Sequence, residues 1–168
     1  MILHHRQQSG LVGCLYHSLY ALTGDEAQLA HVEDVSDARF AVRLAGQGLM
    51  AFPLWVTPSD GPVTETSFWT ALRDRFTRDN VVGASHAPLL VAIPGTGPPM
   101  LHSVALALPI TPTEETVQVS DSNFDTPLTF SWAAFLLSDY SRAHRVEMLA
   151  PLELDAYPPD LRPLGGTP

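Results

Sequence analysis

The chain has 168 residues, a single cysteine and a formal net charge of −9. With 45% hydrophobic and 16% charged residues, it is expected to form one globular domain, and its composition excludes a disordered chain. The negative charge excludes a non-specific nucleic-acid surface, and one cysteine excludes a disulfide framework or a cysteine-rich zinc site. No apolar stretch is long enough to cross a membrane and the first residues lack signal-peptide features, so we expect a cytoplasmic protein with a reduced thiol.

The first half of the chain is predicted to fold as helices joined by irregular links. Apolar side chains recur at spacings of three and four, which gives each helix one face that can pack on a core. Caps and glycines mark the ends of these helices. The predicted elements are a helix from Cys14 to Leu22 ended by Gly24, a short turn or helix over 27–29, a helix capped by Asp37 and ended by Gly46 and Gly48, and a helix capped by Thr66 or Ser67.

The second half changes to short apolar runs bounded by proline, glycine and polar turns, which is typical of buried strands. A polar turn over 112–115 joins two of these runs and indicates an antiparallel hairpin. The predicted elements are strands over Pro88–Ile93, His102–Leu108, Thr116–Asp121 and Leu128–Phe130, a helix capped by Ser131, and a strand over Arg145–Leu149 that would close the sheet.

Helices followed by antiparallel strands predict an α+β fold. We expect a single domain over residues 1–150, with a helical part over about 1–80 packed on an antiparallel sheet part over about 81–150. The region 151–168 is rich in proline and glycine and lacks periodicity, which predicts a tail on the surface. A functional cleft is expected between the helical part and the sheet.

Cys14 lies where a glycine-bearing loop ends and the first helix begins. A thiol attacks as its thiolate, and the unpaired N–H groups and partial positive charge of a helix N-terminus stabilise that anion. Gly10 and Gly13 would allow the backbone to approach a substrate closely. Gln8, six residues before the cysteine, could donate its amide to a developing oxyanion together with the Cys14 backbone N–H.

His102 opens a predicted strand far downstream of the cysteine. A histidine beside the thiol would form an ion pair with the thiolate and transfer the proton. The following strand ends on Asp121, and Asn123 comes two residues later. Either side chain could accept the other imidazole N–H, and both have the same strand parity, so alternation does not separate them. Cysteine, then histidine, then Asp or Asn is the chain order of papain-like thiol enzymes.

This set of residues resembles the papain-like cysteine peptidase superfamily, and within it the compact bacterial peptidases that process double-glycine leader peptides and their stand-alone relatives. In that family a glutamine lies six residues before the cysteine, a histidine leads an apolar strand, and an aspartate ends the next strand. The resemblance implies that Cys14 is the nucleophile, His102 the base, Asp121 the orienting acid and Gln8 the oxyanion donor. The strand and helix over 130–136 are similar to those that follow the acid in that family.

The chain departs from the family pattern beside the nucleophile and beside the acid. The family commonly has Asp before and Gly after the cysteine, whereas this chain has Gly13 and Leu15. It often has Asp-Pro where this chain has Asp121-Ser122. These departures bear on the substrate more than on the thiol chemistry, and Leu15 leaves a catalytically inactive papain-like binding module as an alternative.

The leading hypothesis is therefore a papain-like cysteine enzyme that uses a Cys14–His102–Asp121 triad to hydrolyse a peptide or isopeptide bond. A deamidase, a transglutaminase-like enzyme or an acyltransferase would use the same three groups with another acceptor. We expect a peptide or protein substrate, no nucleic-acid partner and no insertion into a membrane. The sequence does not indicate an oligomeric state.

The remaining histidines are not expected to take part in catalysis. Two near the N-terminus are expected to be solvated, one lies on the first helix, and three are isolated in the sequence. No pair has the spacing of a metal-binding helix, so neither a metal nor another cofactor is predicted. These residues are His4 and His5, then His17, and finally His31, His86 and His144.

Overall fold

The computed structural model describes residues 3–10, 12–33, 37–80, 83–95 and 100–152. They form an α+β fold in which helices cover a six-stranded antiparallel sheet. The helices are α1 (Cys14–Thr23), α2 (Asp37–Gly46), α3 (Thr66–Asp79) and α4 (Trp132–Leu136), with short 3₁₀ helices at Glu26–His31 and Asp139–Ser141. The strands are β1 (Leu49–Val56), β2 (His86–Pro94), β3 (Leu101–Pro109), β4 (Thr116–Ser120), β5 (Leu128–Ser131) and β6 (Arg145–Pro151). Within these ranges, no helix has both the length and the apolar character needed to cross a bilayer.

The strand order in the sheet is β1-β6-β2-β3-β4-β5, and all neighbouring strands are antiparallel. The predicted β3–β4 hairpin is confirmed. The expectation that the last strand closes the sheet is wrong, because β6 pairs with β1 on one side and β2 on the other. Pro151, where the tail was expected to start, is the last residue of β6, and residues 153–168 lie outside the described residues.

The strand β1 contradicts the prediction that the first half of the chain is helical with irregular links. Pro53 argues against a strand in the sequence because it has no N–H to donate to a neighbour. In the structure β1 is an edge strand, and its register shifts between Pro53 and Trp55. Edges and register irregularities are the places where a sheet tolerates proline. The boundary expected near residue 80 is therefore not strict, since part of the sheet comes before it.

Most of the predicted helix ends are confirmed. Gly24 ends α1 in the left-handed conformation with φ of 72°, and the Ser131 hydroxyl caps α4 by accepting the Ala134 N–H. The predicted cap of α3 is wrong. Thr66 is already the first helical residue, and the capping position belongs to Glu65, whose side chain forms no capping hydrogen bond. The cap predicted for α2 adjoins residues 34–36, which lie outside the described residues.

Helices pack on both faces of the sheet. Successive side chains of a strand point to opposite faces, and two buried clusters use this alternation along β2. On one face α1 and α2 contribute side chains that pack with Leu90, and on the other α3 and α4 pack with Leu89 and Val91. Burial on both faces explains why β2 and β3 are nearly continuous apolar runs. The helical residues are Tyr16, Leu19, Phe40 and Leu44 on the first face and Trp69, Leu72 and Phe135 on the second.

Two alanines of β3 form the surface on which α1 lies. Ala105 and Ala107 are fully buried and form a cluster with Ala21 of α1. Their small side chains allow a close approach of helix and strand, because neither extends beyond Cβ. This packing places the N-terminus of α1 over the start of β3, so that Cys14 and His102 come from adjacent elements.

Candidate active site

Gly13 determines how the chain enters α1 and therefore where Cys14 points. It is the N-cap residue of α1 and adopts the left-handed conformation, with φ of 107° and ψ of −1°. A Cβ at this position would lie 2.8 Å from Cβ of Val32 and 3.0 Å from the carbonyl oxygen of the same residue. Both the positive φ and the close backbone require glycine. An aspartate here, which the family commonly has before the cysteine, would be strained and would require Val32 to move.

The Cys14 thiol is partly buried and receives hydrogen bonds from two neighbours in space. The backbone N–H of Ser103 donates to Sγ over 3.4 Å, and the His102 side chain also hydrogen bonds to the thiol. Burial raises the pKa of the thiol, but the hydrogen bonds from His102 and Ser103 and the positive charge of His102 lower it further than burial raises it. The net pKa lies below that of an ordinary cysteine, which favours the thiolate.

His102 lies between Cys14 and Asp121 and contacts both. Its Nε2 is 2.7 Å from Oδ1 of Asp121. Because Nε2 faces the carboxylate, the ring nitrogen left for the sulfur is Nδ1. Burial lowers the pKa of the imidazole, but the hydrogen bonds and negative charges of Asp121 and Cys14 outweigh it and raise this pKa to about 9. The lowered pKa of the thiol and the raised pKa of the imidazole are both shifts in the direction that favours a thiolate–imidazolium pair.

Asp121 is buried, and both of its carboxylate oxygens accept hydrogen bonds. Oδ1 accepts from His102 and from the backbone N–H of Asn123 over 2.9 Å, and Oδ2 accepts from the Tyr140 hydroxyl over 2.8 Å. Burial raises the pKa of this carboxyl, but these hydrogen bonds and the His102 charge lower it to a value below normal. Asp121 is therefore ionised and held in a fixed orientation toward the imidazole.

Tyr140 was missed by the sequence reasoning. It lies on the 3₁₀ helix Asp139–Ser141, between α4 and β6, and its ring packs on Phe130 with centroids 5.6 Å apart. Burial, the hydrogen bond to Asp121, and the charges of Asp121 and Asp139 raise its pKa well above the ordinary value, so that it remains a proton donor. No motif marks this tyrosine, because its role depends on how the chain returns to the sheet after α4.

Asn123 lies near the imidazole, but its main contacts are elsewhere. Its side-chain nitrogen is 3.2 Å from Nε2 of His102. Since Nε2 carries a hydrogen when it donates to Asp121, it cannot also accept one from Asn123. Of the two candidates left open by the sequence, Asp121 is therefore the one that accepts from His102. Asn123 contributes a backbone N–H to that carboxylate and a side-chain oxygen to Gln8.

Gln8 is fixed against the turn that follows β4. Its backbone N–H donates to the Ser122 carbonyl over 2.8 Å, and its side-chain oxygen accepts from the Ser122 hydroxyl over 2.9 Å. Its Nε2 donates one hydrogen to Oδ1 of Asn123 over 3.1 Å. An amide nitrogen carries two hydrogens, so the second can serve a substrate. Gln8 thus lies beside the same cleft as Cys14 and is oriented by the loop that carries Asp121.

The four predicted residues line one cleft with a volume of about 970 Å³. Gly95, at the start of the β2–β3 connection, borders it, while residues 96–99 lie outside the described residues. Apolar side chains from several elements also line the cleft. They are Ile93, Met100, Leu101, Phe124, Phe130 and Leu137.

The other histidines form structural contacts. His5, which was expected to be solvated, is partly exposed, and its ring nitrogens also lie 2.8 Å from the Ser120 hydroxyl and 3.1 Å from the Phe124 carbonyl oxygen. The N-terminal segment runs beside the end of β4, which the sequence does not reveal. In the part of the chain that the structure describes, no three His, Cys, Asp or Glu side chains form a group that could hold a metal ion.

The geometry of this cleft is the basis for assigning a function. No protein-family model matches the chain, and no curated protein matches it in sequence. The chemistry is therefore inferred from the four side chains and from the groups that hold them.

Proposed function

We propose that the chain is a papain-like cysteine enzyme that hydrolyses a peptide or isopeptide bond through Cys14, His102 and Asp121. The observation that carries the proposal is the 2.7 Å contact between His102 and a buried Asp121 in the same cleft as Cys14, the only cysteine. The papain-like arrangement is supported by a helix that begins at the cysteine and packs on an antiparallel sheet carrying the histidine and the acid.

In the proposed first step, the Cys14 thiolate attacks the carbonyl carbon of the scissile bond. The oxyanion that forms accepts hydrogen bonds from the free Nε2 hydrogen of Gln8 and from the Cys14 backbone N–H, which has no partner within α1. Each donor of this kind contributes roughly 3–4 kcal/mol in comparable sites. His102 then gives its proton to the departing amine, and a thioester on Cys14 remains.

In the second step, water attacks the thioester while neutral His102 accepts one of its protons. The tetrahedral intermediate collapses, the carboxylic acid leaves, and the thiolate–imidazolium pair is restored. Asp121 keeps the imidazole in one orientation through both steps and is itself held by Tyr140 and by the Asn123 N–H. Atoms and charge balance without any metal or cofactor in the scheme.

We expect Cys14→Ala to abolish cleavage. Wild-type protein and the variant would be incubated with a peptide mixture derived from a whole proteome, and new termini would be counted by mass spectrometry. Loss of the nucleophile should lower the rate at least about 10³-fold. Because Cys14 is the only cysteine, wild type alkylated with iodoacetamide should behave like the variant.

The same spectra distinguish the possible acyl acceptors. New peptide termini would indicate hydrolysis of the backbone, whereas a gain of about 1 Da on glutamine would indicate that the same groups catalyse deamidation. Cleavage that continues in Cys14→Ala at the wild-type rate would contradict the proposal.

A further inference from the structure

Asp139 is a charged group of the cleft that the proposed mechanism does not use. It is the exposed first residue of the 3₁₀ helix that carries Tyr140, and it lines the cleft together with Cys14 and His102. Among the described residues its carboxylate forms no ion pair and no side-chain hydrogen bond. The other carboxylate of the cleft, Asp121, already accepts from His102 and Tyr140.

No cation of the described residues lines this cleft except His102, and the chain contains no lysine. A substrate carboxylate would therefore find only His102, which already pairs with Asp121. The Asp139 charge is felt within the site. Burial and Asp121 raise the pKa of Tyr140, and the negative charge of Asp139 raises it further. The cleft therefore repels anions and has one carboxylate free for a cation.

Apolar surface lies beside this carboxylate. Leu137, two residues before Asp139, is 90% exposed and lines the cleft, as do Phe124 at 47% and Met100 at 59% exposure. Lysine and arginine have apolar stems that pack on such surface while the charged head reaches a carboxylate. Exposed apolar residues together with one free acid therefore suit a lysine or arginine side chain better than an anionic or a purely polar one.

We infer that the cleft binds a polypeptide segment through a lysine or arginine side chain whose stem lies on Leu137 and whose cationic head pairs with Asp139. Asp139 is then a specificity-determining residue. This inference rests on the proposed function, because it names the substrate class of the same site. It adds that the preferred substrate carries a positive charge close to the scissile bond.

The charge selection can be measured at Cys14 without any turnover. Methanethiosulfonate reagents form a disulfide with the thiolate and release methanesulfinate, and they exist in a cationic aminoethyl form and an anionic sulfonatoethyl form. The ratio of their second-order rates at Cys14 reports the local charge. Removing one negative charge from the cleft that holds the sulfur should lower this ratio about three- to tenfold in Asp139→Asn. Asp60, an exposed acid outside the cleft, provides the control, because Asp60→Asn changes the net charge equally and should leave the ratio unchanged.

A second readout tests the peptide itself. Pairs of peptides that differ only by lysine against norleucine near the scissile bond would be compared for cleavage by wild type and Asp139→Asn. We expect wild type to prefer the lysine peptide about two- to fivefold, as one exposed ion pair allows, and the variant to lose this preference.

The outcomes separate the inference from the proposed function. If no peptide is cleaved but the reagent ratio falls in Asp139→Asn alone, the hydrolase proposal fails and the cationic preference of the cleft stands. If Asp139→Asn and Asp60→Asn give equal ratios, or if the lysine preference persists in Asp139→Asn, the inference is overturned even if the enzyme is active.

Discussion

Replacing Asp121 with asparagine should slow hydrolysis by about 10²- to 10⁴-fold at neutral pH. Asparagine keeps the shape of the side chain but removes the charge that, with its hydrogen bond, keeps the pKa of His102 above normal. The imidazole would then lose its proton at a lower pH, and the thiolate of Cys14 would lose its counter-charge. The amide can also present a donor to Nε2, which would favour the wrong tautomer.

This effect should be read from the pH–rate profile rather than from a single rate. We expect the limb on the alkaline side, where His102 deprotonates, to move to lower pH in Asp121→Asn. Asp125→Asn is a matched control, because Asp125 is an exposed acid four residues further along the same loop. Circular dichroism would show that both variants are folded. A profile for Asp121→Asn that coincides with that of wild type would contradict the role given to this carboxylate.

Replacing Gly13 with alanine should destabilise the protein by about 2–4 kcal/mol and also remove activity. An alanine would have to adopt φ near 107° with its Cβ 2.8 Å from Cβ of Val32. Relief of that clash requires the start of α1 or the residues around Val32 to move. Either movement displaces the Cys14 thiol from His102, and small displacements of a nucleophile have large effects on rate.

Urea unfolding monitored by tryptophan fluorescence would measure the change in the free energy of unfolding. Gly46→Ala provides the control, because Gly46 ends α2 with a negative φ and a Cβ there would meet no heavy atom within 4 Å. That substitution should change stability by no more than about 1 kcal/mol, and in the stabilising direction. Equal stability of Gly13→Ala and wild type would show that the loop tolerates a side chain and that glycine is not required.

The candidate site residues were predictable from the sequence, because each lies at the start or end of a helix or strand that the local pattern predicts. Cys14 follows a glycine loop and opens a helix, His102 opens an apolar strand, and Asp121 ends the next strand. Two adjacent antiparallel strands bring the start of one beside the end of the other, so the hairpin places His102 near Asp121. The choice between Asp121 and Asn123 could not be made by parity and required the atomic contacts.

The features that the sequence did not predict depend on contacts between distant parts of the chain. Tyr140 reaches Asp121 only because the chain turns back after α4. β6 lies inside the sheet because β1 pairs with its outer edge. β1 was not predicted, and its Pro53 argues against a strand when the sequence is read alone. A strand that is buried on both faces reads as a continuous apolar run. Such a run indicates burial on both faces but does not show which helix covers which face.

The most direct test of the proposed thiolate–imidazolium pair is the pH dependence of Cys14 alkylation in wild type and in His102→Ala. Iodoacetamide modification would be followed by intact mass, which reports this residue alone because the chain has one cysteine. In wild type we predict a half-maximal rate at a pH below the ordinary thiol pKa of ~8.5. Loss of His102 should shift that midpoint upward, because burial, which raises the thiol pKa, would then no longer be opposed by the hydrogen bond and charge of His102. Slow alkylation in both proteins, with the same ordinary or raised midpoint, would contradict the ion pair and with it the proposed mechanism.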